Sequence, residues 1–114
     1  MTHQMSLYSQ SFDMILSGKK TIELRLYDEK RRTLRVGDII EFTSTDREGA
    51  RFCCEIVALH PFPSFEKLYE NLPLLQCGYT IDNVASASPA DMDLYYTKEK
   101  QEKYGVLGIE LKLI

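Results

Sequence analysis

The chain has 114 residues, a formal net charge of −3, and 44% hydrophobic against 27% charged residues. Those proportions are ordinary for a globular protein, and the length suits one domain, 1–114, whose core needs no metal or disulfide staples. No apolar run approaches the roughly 20 residues of a membrane helix, and Met1–Gln10 lacks the charged start and apolar middle of a signal peptide.

Taken in chain order, the first predicted element is a helix over Gln10–Ser17. Ser9 or Ser11 would cap it, Phe12, Ile15 and Leu16 form its apolar stripe, and Gly18 gives a left-handed stop. Thr21–Tyr27 then alternates strictly. Ile22, Leu24 and Leu26 face one way and Thr21, Glu23, Arg25 and Tyr27 the other, which predicts a half-buried strand carrying a polar row. Asp28–Arg35 reads as a charged loop and Val36-Gly37-Asp38 as a turn. A strand follows at Ile39–Thr43, and Ser44–Gly49 makes a second turn. Arg51–His60 is a long strand ended by Pro61 and Pro63, and Ser64 caps a helix over Phe65–Asn71 with Phe65, Leu68 and Leu72 inward. Leu74–Ser86 reads as irregular. Ser88-Pro89-Ala90-Asp91 has the capping form with Pro at the first helical position, so a helix begins there. Lys98–Tyr104 extends it or forms another, stopped by Gly105, and Val106–Leu113 closes the chain as a strand, with Val106 or Leu107 starting its buried row. Helices interspersed with sequence-distant strands predict an α+β fold with a mixed sheet curled into a small barrel.

The three cysteines, Cys53, Cys54 and Cys77, are odd in number and form no CxxC. They read as reduced thiols, which predicts a cytoplasmic location. Neighbours on a strand point to opposite faces, so Cys53 and Cys54 cannot share one metal. Only His3 and His60 stand beside them, and no metal is expected. His60, before Pro61, reads as structural. The glycines lack both the GxGxxG and the P-loop spacing, so no nucleotide cofactor is expected. Charge is uneven. Between Lys19 and Arg35 stand seven basic residues (Lys19, Lys20, Arg25, Lys30, Arg31, Arg32, Arg35) and three acidic ones (Glu23, Asp28, Glu29). That segment carries +4 and the remainder −7. Such focusing can attract a phosphate backbone although the whole chain is acidic.

Gly18-Lys19-Lys20-Thr21-Ile22-Glu23-Leu24-Arg25, the Asp28-Glu29-Lys30-Arg31 that follows, and Val36-Gly37-Asp38-Ile39-Ile40-Glu41-Phe42 together resemble the ASCH domain, the activating-signal-cointegrator homology domain of the PUA-like superfamily. Tyr95-Tyr96-Thr97-Lys98-Glu99 and Tyr104-Gly105-Val106-Leu107-Gly108-Ile109 are similar to its closing helix and strand. The resemblance covers nearly the whole chain. It implies a PUA-like barrel flanked by helices, a cleft against the first strand, and a role in RNA binding or RNA metabolism. One branch of small ASCH proteins hydrolyses N4-acetylcytidine to cytidine with a lysine at the position of Lys20 and a threonine three residues later. This chain keeps the lysine and has Glu23 in the threonine's place. That branch also uses a glutamate from the helical region, whose counterpart here, Glu66, Glu70 or another residue, the resemblance leaves open.

The residues themselves allow two chemistries. Glu23 and Arg25 share a strand face with Cα atoms roughly 6.5–7 Å apart, so they can pair or converge on one ligand. A carboxylate accepts an exocyclic amine or hydroxyl, and a guanidinium grips a phosphate or base edge. Lys20, just ahead of the strand, can reach the same hollow. Buried beside Arg25 it could serve as base or nucleophile, whereas exposed it merely attracts phosphate. The plain alternative is an exposed Glu–Arg pair with no ligand. Lys30, Arg31 and Arg32 read as either solvated charge or phosphate contacts, and Tyr27, Tyr95, Tyr96 and Tyr104 as either base-stacking rings or core rim. The leading expectation is an RNA-binding or nucleoside-recognising module using Lys20, Glu23, Arg25, Lys30, Arg31 and Arg32. The alternative is a small amidohydrolase in which Lys20 and Glu23 are catalytic, acting on a modified nucleoside such as N4-acetylcytidine. A protein-interaction module within a larger assembly is a third reading, and the residues set no oligomeric state.

Overall fold

The computed structural model describes Met1–Ile114. The elements in chain order are β1 (Thr2–Leu7), α1 (Ser9–Leu16), β2 (Ile22–Leu26), β3 (Ile39–Ser44), β4 (Arg51–Phe62), α2 (Phe65–Asn71), α3 (Lys98–Tyr104) and β5 (Val106–Leu113). Short 3₁₀ turns lie at Arg31–Thr33, Leu74–Gln76, Val84–Ser86 and Pro89–Leu94. The five strands form one mixed sheet in the order β1-β3-β4-β5-β2, parallel only between β1 and β3. It is the α+β architecture expected, a curled half-barrel whose two edges are β1 and β2.

Burial follows the alternation. Ile22, Leu24 and Leu26 of β2 are buried, and β5 is covered on both faces. Its Leu107, Ile109 and Leu111 join Phe12 and Ile15 of α1, Phe42 and Ile56 in one core, while Val106 joins Ile22, Leu24, Leu26, Phe65 and Leu68 in a second. Two cores on opposite faces of the same strands explain why both Val106 and Leu107 are inside.

Several local expectations are corrected. β1 was not foreseen: only Met5 and Leu7 of its six residues are buried, and its partner β3 lies more than thirty residues away. Neither Ser9 nor Ser11 caps α1, because Tyr8 holds the cap position without a side-chain bond. β4 runs through Pro61 to Phe62, with a register shift between Ile56 and Ala58. The Ser88/Asp91 capping box forms, yet it opens the 3₁₀ turn Pro89–Leu94, and α3 is separate with Thr97 as its own cap.

Candidate ligand cleft

The open seam between β1 and β2 is bridged by side chains. Arg25 Nη2 donates to the Ser6 carbonyl at 2.8 Å, and Lys30 Nζ donates to the Gln4 carbonyl at 3.2 Å. Over this seam lies a cavity of about 540 Å³, lined by Ser6 and Leu7 of β1, Glu23, Leu24 and Arg25 of β2, the α1 face, and the segment from Cys77 to Tyr96. It sits where the two cores meet, since Leu7 belongs to one and Leu24, Cys77 and Met92 to the other.

The charged centre of the cavity wall is a buried triplet. Glu23 is only 5% exposed and Lys20 only 7%. Lys20 Nζ lies 2.7 Å from Glu23 Oε1, and Arg25 Nε donates to Glu23 Oε2 at 2.7 Å. Burial by itself would raise the Glu23 carboxyl, but the positive charges of Lys20 and Arg25 and their hydrogen bonds hold it below the usual carboxylate range. Lys20 also donates to Ser11 Oγ at 3.3 Å. Gly78 closes over the lysine stem: its φ is +115°, and a Cβ there would stand 3.5 Å from Lys20 Cδ. Burial pushes the neighbouring Cys77 thiol up to about 11, so it is an inert wall at neutral pH.

A second polar group, which nothing local in the sequence marks as a site, lines the same cavity. Tyr79 Oη donates to Asp91 Oδ2 at 2.6 Å, and Tyr69 Oη lies 2.7 Å from Tyr79 Oη. Asp91 Oδ2 also accepts the Ser88 N–H at 3.1 Å. Tyr79 and the Tyr69 ring pack edge-on with centroids 5.8 Å apart. The only sequence signal here was Asp91 as a capping residue; no spacing ties it to Tyr69. Tyr96 lines the cavity too, its ring stacked on Phe65 at 6.2 Å. Tyr8 and Tyr95 stand at the rim, 67% and 60% exposed.

The structure therefore brings Lys20, Glu23 and Arg25 together at the cavity and leaves Lys30, Arg31 and Arg32 outside its lining. Arg31 leans on Asp28, and Arg32 covers the Tyr27 ring at 4.2 Å while donating to the Tyr104 carbonyl. Of the four tyrosines considered for stacking, Tyr95 and Tyr96 line the cavity, and Tyr27 and Tyr104 do not. Glu66 and Glu70 are exposed on α2 and also lie outside it. His60 bonds Glu110 of β5 at 3.0 Å. No three His, Cys, Asp or Glu side chains are gathered as metal ligands would be. No helix is long and apolar enough to cross a membrane.

The ASCH domain model matches residues 5–114. The chain belongs to the ASCH domain family. It is similar to the crystal structure of the hypothetical protein PH0355, at 32% identity and a TM-score of 0.82 over 100% of both chains. The solution structure of PF0455 from Pyrococcus furiosus is similar at 31% identity and a TM-score of 0.76, covering 100% of this chain and 98% of that one. The ASCH protein of Zymomonas mobilis shares the fold at 17% identity and a TM-score of 0.65, over 97% of this chain and 66% of that one. No curated protein matches the chain.

Proposed function

We propose that this ASCH domain recognises a nucleoside, free or as one extruded nucleotide of an RNA, in the cavity over the β1–β2 seam, and acts in RNA metabolism. The observation that carries this reading is the buried Lys20–Glu23–Arg25 triplet on the wall of a cavity of about 540 Å³. That volume falls within the roughly 300–1,000 Å³ typical of small-ligand sites, where a few fixed polar groups orient a ligand among apolar and aromatic walls. A polymer groove would need free cations along its floor, whereas Lys30 and Arg32 are engaged with backbone carbonyls away from the cavity. The reading takes residues 1–114 as one domain working in the cytoplasm, where its three thiols stay reduced.

Thermal unfolding in the presence of the four ribonucleosides, their 5′-monophosphates and short RNAs tests it. A ligand at 100 times its Kd stabilises the native state by about 2.7 kcal/mol, so at least one nucleoside should raise Tm. Lys20→Ala and Arg25→Ala should remove the response. No shift with any nucleoside, nucleotide or RNA overturns the reading, and a shift with RNA that survives Lys20→Ala and Arg25→Ala transfers the site to an outer surface.

One observation favours a second reading. The Ser11 hydroxyl, the Lys20 ammonium and the Glu23 carboxylate meet at one wall, with Ser11 supplying a hydroxyl although the threonine position holds Glu23. An amidohydrolase would use such a set to add water across the amide of N4-acetylcytidine, releasing cytidine and acetate. In the ion pair, however, Lys20 is a donor to Glu23, which suits holding a ligand better than removing a proton. Incubation of the protein at high concentration with N4-acetylcytidine decides the matter: cytidine that disappears in Lys20→Ala supports hydrolysis, and its absence after long incubation rejects it.

A further inference from the structure

Resting on the nucleoside reading, we propose that the Tyr69–Tyr79–Asp91 relay is a specificity device that presents a fixed hydrogen-bond acceptor to the cavity and so selects a base bearing an exocyclic amino group over its keto counterpart. The polarity follows from counting protons along the relay. The hydrogen bond from Tyr79 and the Ser88 N–H hold the Asp91 carboxyl below its usual range, so it is an acceptor only. At 2.6 Å the single proton of Tyr79 is committed to Asp91 Oδ2. Tyr69 Oη, 2.7 Å from Tyr79 Oη, must then spend its own proton on Tyr79, because two phenol oxygens at that distance need a proton between them. What is left on Tyr69 is lone pairs. A phenol that elsewhere gives or takes a hydrogen bond is here reduced to taking one.

The charged part of the lining is engaged within itself. Lys20 donates to Glu23 and Ser11, and Arg25 donates to Glu23 and the Ser6 carbonyl. The Glu23 oxygens each already accept a charged donor at 2.7 Å. Among the neutral polar groups of the lining, the relay is the one whose unused capacity has a single sign. In a nucleoside seated with its sugar at the rim, the substituent at C4 of a pyrimidine or C6 of a purine points farthest inward. An amino group there is a donor, as in cytosine and adenine, whereas the keto group of a uracil is an acceptor. Facing Tyr69, the keto oxygen meets a second set of lone pairs and is stripped of the water that had satisfied it.

Isothermal titration of the whole chain with two matched pairs, adenosine against inosine and cytidine against uridine, tests the relay, because each pair swaps an amino for a keto group with little change in shape. The swap also places a proton on the neighbouring ring nitrogen, and the tyrosine variants isolate the exocyclic contact. The amino member should bind about tenfold more tightly in both pairs, the size of one unsatisfied polar group. Tyr69→Phe should bring both ratios close to one. Tyr79→Phe should do the same by a different route: it frees the Tyr69 proton, so inosine and uridine gain affinity. Lys20→Ala should weaken all four ligands without changing either ratio. Equal affinities or a keto preference in the wild-type chain overturn the relay's role and leave the nucleoside reading standing. Ratios that persist undiminished in Tyr79→Phe overturn it as well. A wild-type chain that binds none of the four overturns the nucleoside reading and the relay's role with it.

Discussion

Glu23 is an acid held between two bases in a place water hardly reaches, and that arrangement makes it sensitive to removal of any member. Taking away one partner of a buried ion pair strands the other charge, at a typical cost of about 3–5 kcal/mol. Glu23→Ala should approach that loss, read by urea unfolding, because it leaves Lys20 and Arg25 facing each other. A replacement with no measurable loss of stability would mean the triplet is solvated. The same group sets an acid limb. Its carboxyl titrates lower in the folded chain than in the unfolded one, so its stabilisation is complete above the unfolded value near 4.3 and disappears as pH falls through the folded value. Melting temperature followed from pH 6 downward should therefore drop below about pH 4.3, and Glu23→Gln should flatten that decline while lowering the plateau. Lys20, Glu23 and Arg25 were legible in the sequence because they lie within six residues, Glu23 and Arg25 on one face of a strongly alternating strand and Lys20 just ahead of it. Tyr69, Tyr79 and Asp91 were not, since what unites them is the approach of α2 to the turns around Asp91, and no periodicity records it.

At the level of the elements, the most constrained joint is Gly105, between α3 and β5. Its backbone sits at φ +73° and ψ −172°, a region essentially reserved for glycine. A Cβ there would stand 3.0 Å from the Phe62 carbonyl of the paired strand. Gly105→Ala should cost about 1–3 kcal/mol, visible as a lower urea midpoint at unchanged slope. An unaltered midpoint would show that the joint relaxes freely. The sequence announced this stop and the strand after it, as it announced β2, β3, β4 and α2, because each carries its own apolar period or cap. It did not announce β1. A mostly polar edge strand pairing in parallel with β3 across an intervening helix and strand has too few buried positions to betray itself locally. It also set the end of β4 at His60, two residues early, since Pro61 cannot donate to a ladder, yet the strand continues past it to Phe62 beside β5.

Across the whole molecule, the excess positive charge of residues 19–35 divides into two populations. Lys20 and Arg25 belong to the cavity, while Lys30 and Arg32 pin loops to neighbouring carbonyls on the outside. Lys30→Ala with Arg32→Ala should leave nucleoside affinity unchanged. If those two cations also touch RNA phosphates, the slope of log affinity against log salt for a single-stranded RNA should fall by about 0.7 for each phosphate no longer neutralised. Weaker nucleoside binding in that variant would place the two cations in the ligand's reach.

The barrel is left unzipped along one side, and Arg25, which laces that side together with Lys30, also belongs to the ionic group on the cavity wall. Much of the remaining wall, from Cys77 to Tyr96, comes from a distant segment with no share in the lacing. If the cavity holds a nucleoside as proposed, exchanging those wall residues one at a time should retune its preference, whereas a change in the ionic group should disturb binding and architecture together.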